Sequence, residues 1–161
     1  MIVVADTTPL NYLILIGAIY VLPRLYGRVV IPLAVHEELT HSGAPASVRA
    51  WIAQPPDWLE ILSPVPVTDI ALAKLDVGER EAIALAEQLS LSSDSIQLIV
   101  DELLGRREAE RRGLAVIGTI GVLREAADEG LIDLRSAIEL LRQTSFHISP
   151  AVLAQLLDDQ R

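Results

Sequence analysis

The sequence predicts an α/β fold, a three-layer α/β/α sandwich with a central, mainly parallel sheet and closing C-terminal helices. Three observations lead there. Short, largely β-branched apolar runs ("MIVVA", "RVVIP", "SIQLIV", "LAVIGT") alternate with segments of helical periodicity. Most of these runs are continuously apolar rather than alternating, as expected of strands covered on both faces. Hydrophobic residues make up 51% of the 161 residues but aromatics only 4%, so the core must be Leu, Ile, Val and Ala. That favours helices on a sheet over two stacked sheets.

Each element has its own signal. "MIVVA" reads as a buried strand, and "TTPL" as a helix start with a Thr cap and a proline in the first turn. "LNYLILIGA" continues that helix, and "YVLPRLYG" adds a short helical turn ending at Gly27. "RVVIP" is a second strand, stopped by Pro32. "LAVHEELTHSG" is a helix closing on Gly43, and "PASVRAWIAQPPDW" a short helix broken at Pro55 and Pro56. "LEILSPVPV" reads as an edge strand, because Pro64 and Pro66 cannot donate to a central ladder. "VGEREAIALAEQLSL" is the clearest helix, with Ala82, Ile83 and Ala86 at helical spacing. "SIQLIV" is a strand ending at Asp101, "LGRREAERRG" a charged helix closed by Gly113, and "LAVIGT" a further strand. "IGVLREAADEG", "LRSAIELLRQT" and "SPAVLAQLLDDQ" read as three closing helices over about residues 120–161, the last capped by Ser149. No repeat or linker divides the chain, so a single domain over 1–161 is expected.

Charge and composition narrow the function. Thirteen Lys and Arg against 22 Asp and Glu give a formal net charge of −9. Phosphate affinity comes from basic residues, so the chain as a whole is not an evident nucleic-acid binder. The absence of cysteine excludes disulfides and thiol chemistry and fits a reducing cytoplasm. Asp6, Pro9 and Asn11 interrupt the apolar stretch Ile2–Leu22, and no Lys or Arg precedes it, so neither a membrane span nor a signal peptide is expected. The stretch "YLILIGAIYVL" is too apolar for a surface helix. With the stripes "AIELL" and "VLAQLL" it suggests pairing across a two-fold axis, a homodimer.

In a doubly wound sheet the site lies at the carboxyl ends of the strands. Asp6 ends the first strand and Asp101 another, while Glu79 opens the helix before Asp101's strand. Glu37 and Glu38 lie on the helix after "VVIP". These places can converge on one acidic pocket. Clustered carboxylates repel unless a cation lies among them, and oxygen-only ligands favour Mg2+ or Mn2+. Each acid also has an ordinary explanation. Asp6 before "TTPL" could cap a helix, and Glu79 sits where a helix dipole favours an acid anyway. His36, His41 and His147 show no ligand spacing. "GRREAERRG" is most simply a solvated face with Glu–Arg pairs, although Arg106, Arg107, Arg111 and Arg112 form the densest basic cluster.

The order "VVADTTPLNYL", "VVIPLAVHEEL", "LDVGEREAIALAEQL", "LIVDELLGRREAERRGLAVIGTIGVL" resembles the PIN-domain nuclease superfamily. It is most similar to the prokaryotic branch related to VapC-type toxins. The resemblance covers Ile2 to about Leu123, and the closing helices suit that branch. It implies a PIN-like fold and a metal-dependent endoribonuclease that hydrolyses RNA phosphodiester bonds, the toxin of a toxin–antitoxin pair with a cognate antitoxin as partner. It also implies that Asp6, Glu38 (rather than Glu37), Glu79 and Asp101 are both the catalytic and the metal residues. Thr7 or Thr8 takes the place of the family's Ser/Thr beside the first acid. Arg106, Arg107 and Arg111 are the candidate RNA contacts, and "DELLGRR" lacks the Lys that many relatives carry before the arginine. The rival reading is a non-catalytic PIN-like binding module whose acids are structural. A haloacid-dehalogenase-type phosphatase would need an Asp where Thr8 stands, and a receiver domain a Lys where "AVIGT" ends on Thr119.

Overall fold

The computed structural model describes residues 1–66 and 68–158. Its sheet has five strands among these residues: β1 (Ile2–Ala5), β2 (Arg28–Pro32), β3 (Leu59–Leu62), β4 (Ile96–Ile99) and β5 (Ala115–Ile117). The order is β3-β2-β1-β4-β5 and every pairing is parallel. The helices are α1 (Thr7–Leu15), α2 (Val21–Leu25), α3 (Leu33–Thr40), α4 (Ala46–Ala53), α5 (Val77–Ser90), α6 (Leu103–Arg111), α7 (Thr119–Asp128), α8 (Leu134–Arg142) and α9 (Pro150–Asp158). This is the expected three-layer α/β/α arrangement.

The continuous apolar runs of the central strands have the expected cause, since β1, β2 and β4 are covered on both faces, whereas the edge strands β3 and β5 are more open. Val3 and Ala5 of β1, Val29 and Ile31 of β2, and Ile99 of β4 pack into one core. Their alternates Val4, Val30 and Leu98 pack into the other, against α5 and α6. The first core takes in α1, α2, α4 and the closing helices through Leu10, Leu22, Ile52, Ile138 and Leu156. Much of the apolar character that suggested a dimer is therefore spent within the chain. Leu15, Tyr20, Leu140 and Val152 remain exposed.

Local differences from the sequence reading have simple reasons. β3 is an edge strand, as expected, but it stops at Leu62, before Pro64 and Pro66, and Val67 lies outside the described residues. A 3-10 turn at Leu72–Lys74, with Leu72 and Leu75 buried under α5, escaped notice because it is too short to show a period. Thr7 is the first helical residue of α1 rather than its cap. Ser149 Oγ accepts from Val152 N–H at the start of α9, and the expected continuation through Asp159 and Gln160 lies outside the described residues. Gly113 closes α6 with φ of +78°, a conformation L side chains rarely adopt. No helix of the described residues is long and apolar enough to cross a membrane.

Candidate active site

β1 and β4 are neighbours in register, Ala5 beside Ile99, so the residues that follow them emerge together at the carboxyl edge of the sheet. Asp6 N–H still donates to Ile99 C=O at 3.0 Å, which fixes the Asp6 backbone there. Its side chain is 3% exposed and makes no capping bond to α1. Asp6 thus stands at the N-cap position of α1 without capping the helix through its carboxylate. Asp101 leaves the end of β4 half-buried, with Glu102 beside it exposed.

The other acids arrive on helices. β2 ends at Pro32 and turns directly into α3, whose N-terminal Ala34 N–H donates to Glu81 Oε1 of α5 at 3.2 Å. One turn along α3, Glu38 Oε2 accepts from Thr7 Oγ1 at 2.5 Å, joining α3 to the residue after Asp6. Glu37 on the same helix is exposed, and Thr8 is half-buried. Asp76 caps α5 by accepting from Glu79 N–H at 2.9 Å, and Glu79 in that first turn is 5% exposed.

Three glycines let these side chains approach. A Cβ at Gly78 would lie 2.8 Å from Glu38 Oε1 and 3.2 Å from Asp6 Oδ1, so both acids bear on one bare stretch of α5 backbone. A Cβ at Gly105 would lie 3.3 Å from Glu79 Oε2. At Gly118 it would lie 2.7 Å from an Arg106 guanidinium nitrogen and 2.8 Å from Asp101 Oδ1. The glycines of "VGE", "LGRR" and "IGT" are thus the gaps through which the site is assembled.

The electrostatics follow from burying like charges together. Burial pushes the Asp6 carboxyl up to about 7; the Thr7 N–H opposes this, and Asp76, Glu38 and Asp101 reinforce it by repulsion. Burial likewise pushes Glu79 up to about 8, with Asp76, Asp6 and Glu102 adding to the rise. Asp101 is engaged differently. Thr119 N–H donates to its Oδ1 at 2.9 Å and the Thr119 hydroxyl to its Oδ2 at 2.6 Å, so it also anchors the start of α7. As the side chains stand, no three His, Asp or Glu groups among the described residues are drawn together tightly enough to hold a metal ion.

The basic cluster divides. Arg106 is half-buried beside Asp101, with a long 3.4 Å bond to Val100 C=O. Arg111 pairs with Glu108 on the solvated face of α6, and Arg107 is exposed. Arg112 reaches Asp69, Glu87 and Glu108, tying α6 to α5 and to the preceding loop. Two participants escaped the sequence reading. Asp76 carries only the ordinary signal of an N-cap three residues before a Glu, and Thr119 was seen only as the end of a strand.

A parallel α/β/α sandwich with acids converging on the carboxyl edge, where β1 and β4 end, defines the class of protein. A family model described as a PIN domain matches residues 2–160, nearly the whole sequence, and the chain belongs to that family, a nuclease superfamily. No curated protein and no solved structure gives a significant match.

Proposed function

We propose that this single-domain PIN protein is a Mg2+- or Mn2+-dependent endoribonuclease that hydrolyses RNA phosphodiester bonds, and that it serves as the toxin of a toxin–antitoxin pair. The observation that carries the reading is the burial of Asp6 and Glu79 among further acids, none of which could stabilise the others' charge. A cation supplies what the arrangement lacks, and the donor set fits one, since it is all carboxylate oxygen without Cys or a His pair. Asp6, Glu38, Glu79 and Asp101 would hold the ion. Side-chain rotations would be needed to close them around it, and Gly78 leaves the Asp6 and Glu38 oxygens room beside α5.

When bound, such an ion stabilises charge on a phosphoryl oxygen and lowers the pKa of an attacking water. The chain's own residues do the positioning. Thr7 orients the Glu38 carboxylate, and Thr119 orients that of Asp101. Arg106, beside Asp101, offers the guanidinium donors that suit a phosphate, with Arg107 further out on α6. A cytoplasmic location, a protein antitoxin and a homodimer complete the proposal. The exposed apolar residues Leu15, Tyr20 and Leu140 support a pairing surface.

Asp101→Asn tests the reading. The variant keeps an oxygen to accept from Thr119 N–H, so it should fold. It should lose RNA cleavage and most of the stabilisation that Mg2+ gives the native state by mass action. Glu102→Gln should retain both. Wild-type cleavage rates in Asp101→Asn would overturn the assignment. A protein neither stabilised by Mg2+ or Mn2+ nor able to cut RNA would be the non-catalytic module instead.

A further inference from the structure

A hollow of about 550 Å3 opens beside the acids, between the start of α1, the outer half of α3 and the turn through residues 41–45. Thr7 and Glu38 line it, so it is continuous with the acidic crevice. No lysine or arginine lines it. Ala34, Ala44 and Pro45 give it apolar wall, and Glu37 adds a second carboxylate. A phosphate would be repelled there and a group offering N–H donors held; within a strand of RNA only the bases offer such donors.

Its polar groups narrow the choice. Glu38 Oε2 already accepts from Thr7 Oγ1, whereas neither the Glu37 carboxylate nor the Asn11 amide has a hydrogen-bond or ion-pair partner among the described residues. His41 Nδ1 accepts from Gly43 N–H at 2.9 Å, so the neutral ring carries its proton on Nε2 and adds a donor. An unpaired carboxylate accepts only. Among the RNA bases, guanine alone presents two adjacent donors, N1–H and N2–H, on its Watson–Crick edge, the edge that single-stranded recognition exposes. Adenine, cytosine and uracil each place an acceptor beside their donor, against the carboxylate.

We propose that this hollow is a guanine-reading subsite for single-stranded RNA, with Glu37 accepting the donor pair and Asn11 as the second polar contact. It rests on the ribonuclease reading above in taking the base to belong to the strand whose phosphate meets the acids.

Two measurements test it. In the first, guanosine and adenosine are titrated into the full chain, following the backbone amide shifts of Asn11, Gly43 and Ala44. Guanosine should move these signals and bind at least about tenfold more tightly than adenosine, and Glu37→Gln should erase that difference. In the second, the Mn2+-loaded protein cuts a random single-stranded RNA pool and the new ends are sequenced. Guanine should be enriched at one position beside the cut, and Glu37→Gln should flatten that enrichment while leaving metal-induced stabilisation unchanged. Equal response to both nucleosides, or cleavage with no base preference, overturns the subsite and leaves the nuclease reading intact. Selective guanosine binding by a protein that cuts no RNA upholds the subsite as a base-binding pocket and defeats the nuclease reading.

Discussion

Replacing Asp6 by Asn removes one buried charge and keeps the shape, so its effect on stability isolates the cost of the acidic crevice. The Asp6 carboxyl is held at about 7 in the fold against 3.8 for the free side chain, with burial as the main cause. Each unit is worth about 1.36 kcal/mol, so the fold carries a penalty of about 4 kcal/mol once this group is fully ionised, or about 2–4 kcal/mol if the crevice relaxes. The sign follows from linkage. A carboxyl with a raised native pKa binds more protons folded than unfolded, so stability is highest below the unfolded value. It falls as pH rises from about 4 to about 7, then levels off. Without metal, Asp6→Asn should match the wild type near pH 4 and exceed it by a margin growing to about 5–15 °C in Tm near pH 8. Thermal melts in chelator at several pH values read this directly. Added Mg2+ should raise the wild-type Tm at high pH and the variant's much less. Two melting curves separated by a constant offset at every pH would refute the reasoning, because the penalty would then not come from ionising Asp6.

Three further outcomes follow from the geometry. Arg106→Ala should lower the slope of log affinity for single-stranded RNA against log salt by about 0.7, the loss of one phosphate contact, whereas Arg111→Ala, whose charge is already paired with Glu108, should leave the slope unchanged; salt titrations of RNA binding decide between them. Gly78→Ala should push Glu38 and Asp6 apart and weaken Mg2+ binding about tenfold or more, measured by calorimetry, because the added Cβ would stand where their oxygens approach α5. Arg112→Met should destabilise the fold by about 1–3 kcal/mol in urea without altering metal affinity, since its three carboxylate partners hold α6 to α5 and lie away from the crevice.

The fold was legible because the central strands wrote their double burial as apolar runs, and several helices their boundaries as Pro, Gly or a polar cap. Asp6 was legible for the same reason, since an acid after "VVA" has no inexpensive place to go. Glu38 was not separable from Glu37 by periodicity, as neighbours on a short helix share the same local signal. Only resemblance favoured Glu38, and it is Glu38 that meets Thr7 and bears on Gly78. The four arginines of "GRREAERRG" form one basic cluster in the sequence, from which only Arg106, Arg107 and Arg111 were singled out for RNA. Helical phase separates them: residues six apart stand well round the axis from each other, so Arg106 reaches the sheet edge while Arg112 reaches α5.

Asp76 and Thr119 mark where sequence reasoning stops, and they stop it for one reason. Both belong to helix N-termini, where an Asp or a Thr is favoured whatever lies beyond it. Asp76 satisfies Glu79 N–H and in the same position raises the pKa of both Asp6 and Glu79. Thr119 begins α7 and there takes both oxygens of Asp101. Each residue does local work that fully accounts for its presence in the sequence, and nothing local points to its neighbours across the sheet edge. Three helices that start at one edge of a parallel sheet bring their first turns together, so ordinary capping residues become neighbours of the acids. The crevice is therefore built as much from helix starts as from strand ends, which explains why a chain with a formal charge of −9 can gather its acids there while keeping one arginine beside them.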